Sequence, residues 1–292
     1  MISGWVGLGA MGWPMAANLA KNTSLDYVWN RNIEKAIDFR ETYDVRQAGG
    51  LQQVANACEL IFICVSADDD LCAVINKMKP VLKPETIIVD HSTVCASTSK
   101  AIAAELKDLQ VEFLDIPVSG GVEGAKNATL SMMAGGEEGA LKRVTPTLRH
   151  MASKIVYMGE SGNGQSTKAV NQIMSAGINQ AVTEALAFGE AMQLDMNKVI
   201  EVVGGGAAAN WFLEHRGNTM VNDNYNAGFK VGLHHKDLNL CKNMMSDLTE
   251  GDKSLPIVEM TLIHYQRLIA AGYGDEDISS LYRLKKELFS AD

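Results

Sequence analysis

The sequence predicts an α/β protein, with a mostly parallel sheet in its first half and an all-α second half that a long helix joins to it. Three observations predict this class. A glycine-rich turn follows the first apolar segment, strand-like and helix-like segments alternate up to about residue 162, and the segments after residue 163 are helix-like. Alternating β and α segments are typical of parallel sheets covered by helices. We therefore expect two domains, over residues 1–162 and 163–292.

The glycine-rich turn indicates the kind of first domain. It reads Gly7-Leu8-Gly9-Ala10-Met11-Gly12, follows the apolar run 2–6 and leads into a helix-like stretch over 14–21. The first glycine permits the turn, the second lets a pyrophosphate approach the backbone, and the third lets helix and strand pack closely. The phosphates are expected on the N–H groups of the helix N-terminus. This G-x-G-x-x-G between strand and helix predicts a Rossmann dinucleotide-binding domain.

The end of the second predicted strand indicates the form of the cofactor. This strand covers residues 25–29 and is followed by Asn30-Arg31-Asn32. An acidic residue here accepts a hydrogen bond from the 2′-hydroxyl of NAD, whereas an arginine accommodates the 2′-phosphate of NADP. A guanidinium can pair with a phosphate through two parallel hydrogen bonds. We expect NADP(H) to be preferred over NAD(H), and the alternative is a surface arginine that pairs with Glu34.

The remaining segments complete the two domains. In the first domain, we predict strands over 60–65, 85–89, 111–114, 129–134 and 154–157. We also predict a helix that begins within 66–70, a second helix over 97–109 and a glycine-rich loop over 119–125. In the second, we predict a long helix over 165–193, rich in small residues that permit close helix approach. Further helices are predicted over 197–203, 211–221, 232–248, 256–271 and 278–289.

Composition and charge argue against several classes of protein. The net charge is −9 and there is no basic run, so we expect no nucleic-acid partner. No apolar run approaches the roughly 18 residues of a membrane span, so we expect no membrane partner. Because the chain enters its first strand at once, we expect no targeting peptide and a cytoplasmic protein. The five cysteines form no C-x-x-C and the six histidines have no metal-ligand spacing, which predicts reduced thiols and no metal site.

Two polar segments lie at the carboxyl ends of predicted strands, where ligands bind in open α/β sheets. Ser92-Thr93 ends one strand, and Asp115-Ile116-Pro117-Val118-Ser119-Gly120-Gly121 follows the next. Successive N–H groups in a Ser-Gly-Gly turn can form a concave anion site suited to a carboxylate. An ordinary glycine loop is the alternative.

Lys168 is a candidate acid/base. It follows Gly162-Asn163-Gly164 and is predicted in the first turn of the long helix, where the helix dipole disfavours a cation. A lysine placed there near a desolvated site gives up its proton more readily and becomes a usable acid or base. Asn171 and Gln172 follow at i+3 and i+4, so they share its helix face. A surface lysine is the alternative, and the later pair Lys236-Asp237, taken alone, is typical of a solvated ion pair.

These motifs, in this order, resemble the β-hydroxyacid dehydrogenase family. Its members include 3-hydroxyisobutyrate dehydrogenases, tartronate semialdehyde reductases and glyoxylate/succinic semialdehyde reductases. The resemblance is carried by the glycine fingerprint with Pro14-Met15-Ala16, by the segment 115–121, by Gly162-x-Gly164-x-x-x-Lys168-x-x-Asn171 and by Lys236-Asp237-Leu238. The motifs span residues 7–238 and are specific for the family rather than for one substrate.

The resemblance implies a role for each matching residue. Lys168 is the implied acid/base, which protonates the carbonyl oxygen as hydride arrives from the nicotinamide and takes the hydroxyl proton in the reverse direction. The implied substrate-binding residues are Ser119, Gly120, Gly121, Asn171, Gln172, Trp211, Phe229 and Asp237, with Phe212 as a further wall of the pocket. The implied cofactor-binding residues are the six of the fingerprint, Asn30, Arg31, Asn32, Val65, Ser66, Thr93 and Lys236.

Two details bear on the substrate. Gln172 stands where 3-hydroxyisobutyrate dehydrogenases usually carry Asn, which resembles the tartronate semialdehyde reductases, and the Asn30-Arg31-Asn32 turn resembles the glyoxylate/succinic semialdehyde reductases, which favour NADPH. The expected activity is NADPH-dependent reduction of small aldehyde acids to hydroxy acids, in a homodimer or homotetramer. The alternatives are an NAD-dependent 3-hydroxyisobutyrate-type dehydrogenase and a non-catalytic cofactor-binding assembly protein. The presence of Lys168 argues against the non-catalytic alternative.

Overall fold

The chain divides into two compact units in the computed structural model. The structure describes residues 1–22, 25–226, 228–248 and 253–289. Unit 1 comprises Met1–Lys168, and unit 2 comprises Ala169–Asp292. The predicted domain limits stay a prediction, and within them residues 23–24, 227, 249–252 and 290–292 lie outside the described residues.

Unit 1 is built on a sheet that has nine strands within the described residues. The strands are Ser3–Val6 (β1), Tyr27–Trp29 (β2), Arg46–Gln47 (β3), Leu60–Ile63 (β4), Ile87–Asp90 (β5), Glu112–Asp115 (β6), Val118–Ser119 (β7), Leu130–Gly135 (β8) and Ala152–Gly159 (β9). The order β3-β2-β1-β4-β5-β6 is parallel throughout and is typical of dinucleotide-binding domains. β8 pairs antiparallel with β6 and β7, and parallel with β9. The predicted α/β class with a mostly parallel sheet is confirmed.

Continuous apolar runs explain why the central strands form where they do. All four residues of β4 are buried. Phe62 joins Trp5 in one apolar cluster, whereas Ile61 and Ile63 join Val6 in a second. Because successive strand residues point to opposite faces of a sheet, this division places one cluster on each face. A parallel strand with helices on both faces needs such a run rather than an alternating pattern.

The helices of unit 1 connect these strands. They are Gly12–Asn22 (α1), Ile33–Tyr43 (α2), Leu51–Ala57 (α3), Asp68–Met78 (α4), Ala96–Lys107 (α5), Gly121–Lys126 (α6) and Glu138–Leu148 (α7), with a 3-10 turn at Lys79–Val81. The long helix Asn163–Ala191 (α8) begins in unit 1, and its residues from Ala169 onward belong to unit 2. In the part of the chain that the structure describes, no helix is long and apolar enough to cross a membrane.

Unit 2 is helical, as the sequence predicts. Besides the end of α8 it contains Met196–Gly204 (α9), Trp211–Val221 (α10), Val231–Leu248 (α11), Pro256–Ala270 (α12) and Leu281–Glu287 (α13), with a 3-10 turn at Ile278–Ser280. Its core includes the fully buried rings of Tyr265 and Tyr282 and the side chains of Leu238 and Leu268. Asn210 begins α10 by accepting a hydrogen bond from the Leu213 N–H at 2.8 Å, the usual way in which a side chain satisfies a free donor at a helix N-terminus.

Two local predictions are wrong. Residues 119–125 are predicted as a loop, but residues from Gly121 onward form α6. Glycine disfavours helix by about 1 kcal/mol, yet packing overrides this here, because a Cβ on Gly124 would approach Leu130 Cδ2 to 3.2 Å. Lys168 is predicted in the first turn of the long helix, but α8 begins at Asn163, so Lys168 is its sixth residue and lies in the second turn.

Candidate active site

The glycine fingerprint forms the turn between β1 and α1. Gly7 has φ +98°, and a Cβ there would clash with the carbonyl of Cys64. A Cβ on Gly12 would clash with the carbonyl of Gly7. Gly9 differs from both, because a Cβ there would meet no atom within 4 Å. Gly7 and Gly12 are therefore required by the packing of the turn, whereas Gly9 borders open space where a ligand can approach the backbone.

Two side chains hold this turn in place. The buried indole of Trp5 donates from Nε1 to the carbonyl of Gly7 at 2.8 Å. Asn30 accepts a hydrogen bond from the Leu8 N–H on Oδ1 at 2.8 Å. These bonds tie the fingerprint to β1 and to the residue that follows β2.

The surroundings of the turn fit a dinucleotide. Gly9 and Ala10 are exposed and lie just before α1, which begins at Gly12. A groove of about 680 Å³ borders them, with Leu8, Trp13 and Pro14 in its lining. The open position at Gly9 and the helix start together suit a pyrophosphate, so the residues present fit the cofactor that the fingerprint predicts.

The residues after β2 have structural partners of their own. The Arg31 side chain is 82% exposed, and its Nη1 lies 2.7 Å from Oδ1 of Asp70 in α4. Its partner is therefore Asp70 rather than the expected alternative, Glu34. Asn32 caps α2 by accepting a hydrogen bond from the Glu34 N–H at 2.9 Å, and Asn30 donates from Nδ2 to the carbonyl of Asn32 at 2.9 Å. Of the three residues in this turn, Arg31 is the charged one, and its guanidinium is exposed to solvent.

The segments after β4 and β5 are joined by hydrogen bonds. Val65 donates its N–H to Ser92 Oγ at 2.9 Å, and Ser92 donates its own N–H to Asp90 Oδ1 at 3.0 Å. Asp90 is fully buried, which raises the pKa of its carboxyl to about 7. Next to these residues, Ser66 is exposed and Thr93 is half-buried. The bonds bring Val65 close to Ser92 at the carboxyl edge of the sheet.

The segment after β6 leads into the Ser-Gly-Gly turn. Ser119 ends β7, and Gly120 and Gly121 have φ of +133° and +62°, values that favour glycine. A Cβ on Gly120 would approach Leu130 Cδ2 to 3.1 Å. The backbone therefore takes a conformation here that other residues adopt only with strain.

Lys168 lies against this segment. Its side chain is buried, at 8% exposure, and Nζ donates to the carbonyl of Val118 at 2.8 Å. Val118 immediately precedes Ser119, so the ammonium is held one residue from the Ser-Gly-Gly turn. Because the field of a helix dipole falls off within the first turn, the second-turn position of Lys168 weakens the effect of the dipole on its ammonium.

Two residues that sequence reasoning did not assign hold the start of α8. Asp115 accepts hydrogen bonds from the N–H groups of Gly162 at 2.8 Å and Gln165 at 3.0 Å. The Gln165 side chain donates to the carbonyl of Ser92 at 2.8 Å and is itself buried. Burial raises the pKa of the Asp115 carboxyl to about 6, although these N–H groups act in the opposite direction. Asp115 lies 50 residues before Gln165, so no local sequence signal indicates this role.

Four predicted site residues of unit 2 form one hydrogen-bonded chain. Asn171 donates to Gln172 Oε1 at 2.8 Å, and Gln172 donates from Nε2 to Asp237 Oδ2 at 2.7 Å. Lys236 Nζ lies 2.9 Å from Asp237 Oδ1. Asp237 is only 5% exposed, so this ion pair is not the solvated pair that the local sequence indicates. Gln172 therefore links α8 to α11.

The predicted aromatic residues of unit 2 have different environments. Trp211 is 57% exposed, and its ring stacks on His215 with 4.2 Å between centroids. Phe229 is half-buried and packs on His234 at 5.0 Å. Phe212 is buried in the core of unit 2, and its place in a pocket wall stays a prediction. His234, which sequence reasoning did not assign, is fully buried and lies 3.0 Å from the hydroxyl of Tyr265.

Among the described residues, no group of three or more His, Cys, Asp or Glu side chains is placed so that it could hold a metal ion. The fold and the fingerprint define a dinucleotide-binding protein. A family model described as the NAD-binding domain of 6-phosphogluconate dehydrogenase matches residues 3–159. A second, described as the NAD-binding domain of NADP-dependent 3-hydroxyisobutyrate dehydrogenase, matches residues 162–285.

Relatives and a solved structure agree with these matches. An uncharacterised oxidoreductase of Shewanella frigidimarina is 36% identical over 97% of this chain and 97% of its own length. The 2-hydroxy-3-oxopropionate reductase of Escherichia coli is 37% identical over 81% of this chain and 82% of its own length. The structure of Mycobacterium tuberculosis 3-hydroxyisobutyrate dehydrogenase with L-serine has a TM-score of 0.86 at 26% identity, and the match covers 97% of this chain and 99% of that one. The chain belongs to the β-hydroxyacid dehydrogenase family of NAD(P)-dependent enzymes.

Proposed function

We propose that this enzyme reduces small aldehyde acids to hydroxy acids with NADPH, and that Lys168 is its general acid. The observation that carries this proposal is the position of Lys168, a buried ammonium on the Val118 carbonyl, one residue from the Ser119-Gly120-Gly121 turn. A proton donor is thus held next to a backbone turn suited to a carboxylate. An aldehyde acid carries these two groups, a carbonyl and a carboxylate, a few atoms apart.

The chemistry divides between the cofactor and the chain. The bound nicotinamide supplies the hydride that forms the new C–H bond. Lys168 donates a proton to the carbonyl oxygen as the carbon–oxygen double bond becomes single, and in the reverse direction it accepts the hydroxyl proton. The bond to Val118 orients the ammonium, which carries three N–H donors. Ser119, Gly120 and Gly121 hold the substrate carboxylate and so fix the distance from its carbonyl to Lys168.

The family resemblance supports roles for the remaining residues. In unit 2, Asn171, Gln172, Trp211, Phe229 and Asp237 are proposed to bind substrate and Lys236 to bind the cofactor. The hydrogen-bonded chain from Asn171 to Lys236 supports this grouping, because it orients all four polar side chains together. In unit 1, the fingerprint residues, Asn30, Arg31, Asn32, Val65, Ser66 and Thr93 are proposed to bind the cofactor.

Lys168→Ala tests the catalytic role. We expect turnover to fall by about 10²-fold or more, which is usual for a general acid, with the dissociation constant for NADPH unchanged. Lys142→Ala is the matched control, because Lys142 is an exposed lysine of unit 1 that pairs with Glu138 on its own helix, α7. Turnover of Lys168→Ala close to that of the control would refute the role assigned to Lys168.

The substrate is to be identified with a panel of four aldehyde acids: glyoxylate and the semialdehydes of succinate, tartronate and methylmalonate. Each is tested for oxidation of NADPH and of NADH. The E. coli relative is named for 2-hydroxy-3-oxopropionate, which is tartronate semialdehyde, and this name favours that compound. Fast NADPH oxidation with one of the four supports the reductase, whereas NADPH binding without turnover on any of them opposes it. Oxidation of 3-hydroxyisobutyrate with NAD is the second candidate, favoured by the named function of the M. tuberculosis structure.

The preference for NADPH is proposed to depend on Arg31. Its exposed guanidinium can exchange the carboxylate of Asp70 for the 2′-phosphate of the cofactor. Arg31→Ala is expected to weaken NADPH binding far more than NADH binding. Arg40→Ala serves as the control, because Arg40 is an exposed arginine that pairs with Glu41 on the same helix. Equal losses for both cofactors in Arg31→Ala would show that Arg31 does not recognise the 2′-phosphate.

Self-association is proposed from the surface of unit 2. Val170, Met174, Ile178 and Phe188 on α8 are exposed, as is Ile263 on α12. The first three recur every four residues and so form one apolar stripe along the helix. Such a stripe is typical of a surface that a partner covers, which supports a homodimer or homotetramer. Light scattering that finds only a monomer would oppose this.

A further inference from the structure

Two segments of unit 1 run alongside each other at a constant sequence offset. Asp115 accepts the N–H of Gln165, and three residues further along both segments the Val118 carbonyl accepts the Lys168 ammonium. Each pair is separated by 50 positions in sequence. The segment from β6 to β7 and the first two turns of α8 are therefore held in register by two bonds, one at the helix N-terminus and one at Lys168.

Asp115 attaches the helix start through two hydrogen bonds. It is fully buried, and its two carboxylate oxygens accept separate N–H groups, from Gly162 at 2.8 Å and from Gln165 at 3.0 Å. These are charge-assisted bonds, about twice as strong as neutral ones, and a negative charge at a helix N-terminus is further stabilised by the helix dipole. The carboxylate thus sets the axial and rotational position of the helix start.

The backbone packs closely around Asp115 at the start of α8, so the helix start has no room to shift. A Cβ on Gly135 would lie 2.6 Å from Asp115 Oδ1, and a Cβ on Gly164 would lie 2.8 Å from Oδ2. A Cβ on Gly164 would also clash with the Asp115 carbonyl. Glycine at both positions permits this approach, so a displacement of Asp115 would move the helix rather than be absorbed by a gap.

We propose that Asp115 is a positioning residue for the reaction: by capping α8 it fixes the Lys168 ammonium on the Val118 carbonyl, beside the Ser119-Gly120-Gly121 turn. Lys168 lies one turn after the capped residue Gln165 on the same rigid helix, so a rotation or slide of the helix start is transmitted to it. The inference rests on the proposed role of Lys168 as the general acid. Asp115 itself exchanges no proton with the substrate.

Asp115→Asn is the test, since the amide has nearly the same shape but replaces one acceptor oxygen with an NH₂ that opposes a backbone N–H. A misplacement of about 1 Å lowers turnover by up to about 10²-fold. We expect kcat to fall by about 10- to 100-fold, with KM for NADPH within about twofold of the wild type. Glu137→Gln is the matched control, because Glu137 caps α7 in the same unit through the Ala140 N–H at 2.7 Å. It is expected to leave kcat unchanged.

A double-mutant cycle separates positioning from general damage. If Asp115 acts through Lys168, Asp115→Asn lowers kcat in the wild-type background and changes it by less than twofold in the Lys168→Ala background. If the loss of kcat in the double variant equals the product of the losses in the two single variants, the inference is overturned. An unchanged kcat in Asp115→Asn would also overturn it. A failure of the proposed function is distinguishable, because Lys168→Ala alone would then keep its turnover. If Asp115→Asn does not fold, Asp115→Ser, which retains a capping oxygen, takes its place with the same criteria.

Discussion

Asp90 offers a stability prediction whose size follows from the structure. It ends β5, is fully buried, and Oδ2 has no hydrogen-bond partner among the described residues. Its pKa is raised from 3.8 to about 7, chiefly by desolvation, and Asp115 across the β5–β6 pair raises it further. Each pKa unit corresponds to about 1.4 kcal/mol. The folded and unfolded pKa values of Asp90 differ by about three units, which corresponds to about 4 kcal/mol in the free energy of unfolding.

The sign follows from proton binding. Folded Asp90 keeps its proton up to about pH 7, whereas the unfolded carboxyl loses it near 3.8, so the native state binds more protons in this window. The contribution of Asp90 to the free energy of unfolding is therefore fully present below pH 3.8 and is lost as pH rises through 7. Asp90→Asn removes this dependence. Its amide also leaves a buried donor unpaired, which costs about 1–3 kcal/mol at every pH.

The assay is urea unfolding of Asp90→Asn and wild type between pH 4 and 8, followed by tryptophan fluorescence. The stability of the variant relative to wild type should improve by about 4 kcal/mol across this range. Asp108→Asn is the control, because Asp108 is an exposed carboxyl at the end of α5, and its curve should run parallel to the wild type. A difference between Asp90→Asn and wild type that does not change with pH would refute the reasoning.

Three further predictions concern binding and assembly. Gly9→Ala should fold with near wild-type stability but bind NADPH at least tenfold more weakly, whereas Gly12→Ala should lose stability through its clash with the Gly7 carbonyl. Thermal unfolding measures the stability of each variant, and fluorescence titration measures its NADPH affinity. A stable Gly9→Ala variant with unchanged NADPH affinity would contradict the proposed pyrophosphate position. Asp70→Asn should tighten NADPH binding by a few-fold and leave NADH binding unchanged, because it removes the carboxylate that pairs with Arg31; weaker NADPH binding would show that the pair is needed. Met174→Asp should shift the protein towards monomer in light scattering, since Met174 lies in the exposed stripe of α8, and an unchanged mass would exclude that stripe from the interface.

Local chemistry made much of unit 1 predictable. The fingerprint has a packing reason at Gly7 and Gly12 that any sequence with this turn must satisfy. The apolar run of β4 has few alternatives to a strand buried on both faces. The helices of unit 2 were equally predictable, because residues that favour helix starts mark where they begin. Asn210 caps α10, and Pro256 is the first residue of α12.

Long-range contacts account for what the sequence did not indicate. Asp115 and Gln165 are 50 residues apart, and only the folded chain shows that one caps the helix of the other. The same holds for Arg31, whose partner Asp70 is 39 residues away, while Glu34 is its neighbour in sequence. The burial of Asp237 was also hidden, because a Lys-Asp pair in an exposed helix has the same local sequence.

The two bonds of Asn30 have a consequence for changing the cofactor preference by engineering. Its Oδ1 accepts from Leu8 and its Nδ2 donates to the carbonyl of Asn32. Aspartate, the usual residue for NAD, could keep the first bond but would place a second oxygen against that carbonyl. The substitution would thus distort the loop that it is meant to adapt. Specificity in this chain is better redesigned at the exposed Arg31 and Asp70, where a new side chain leaves the geometry of the fingerprint intact.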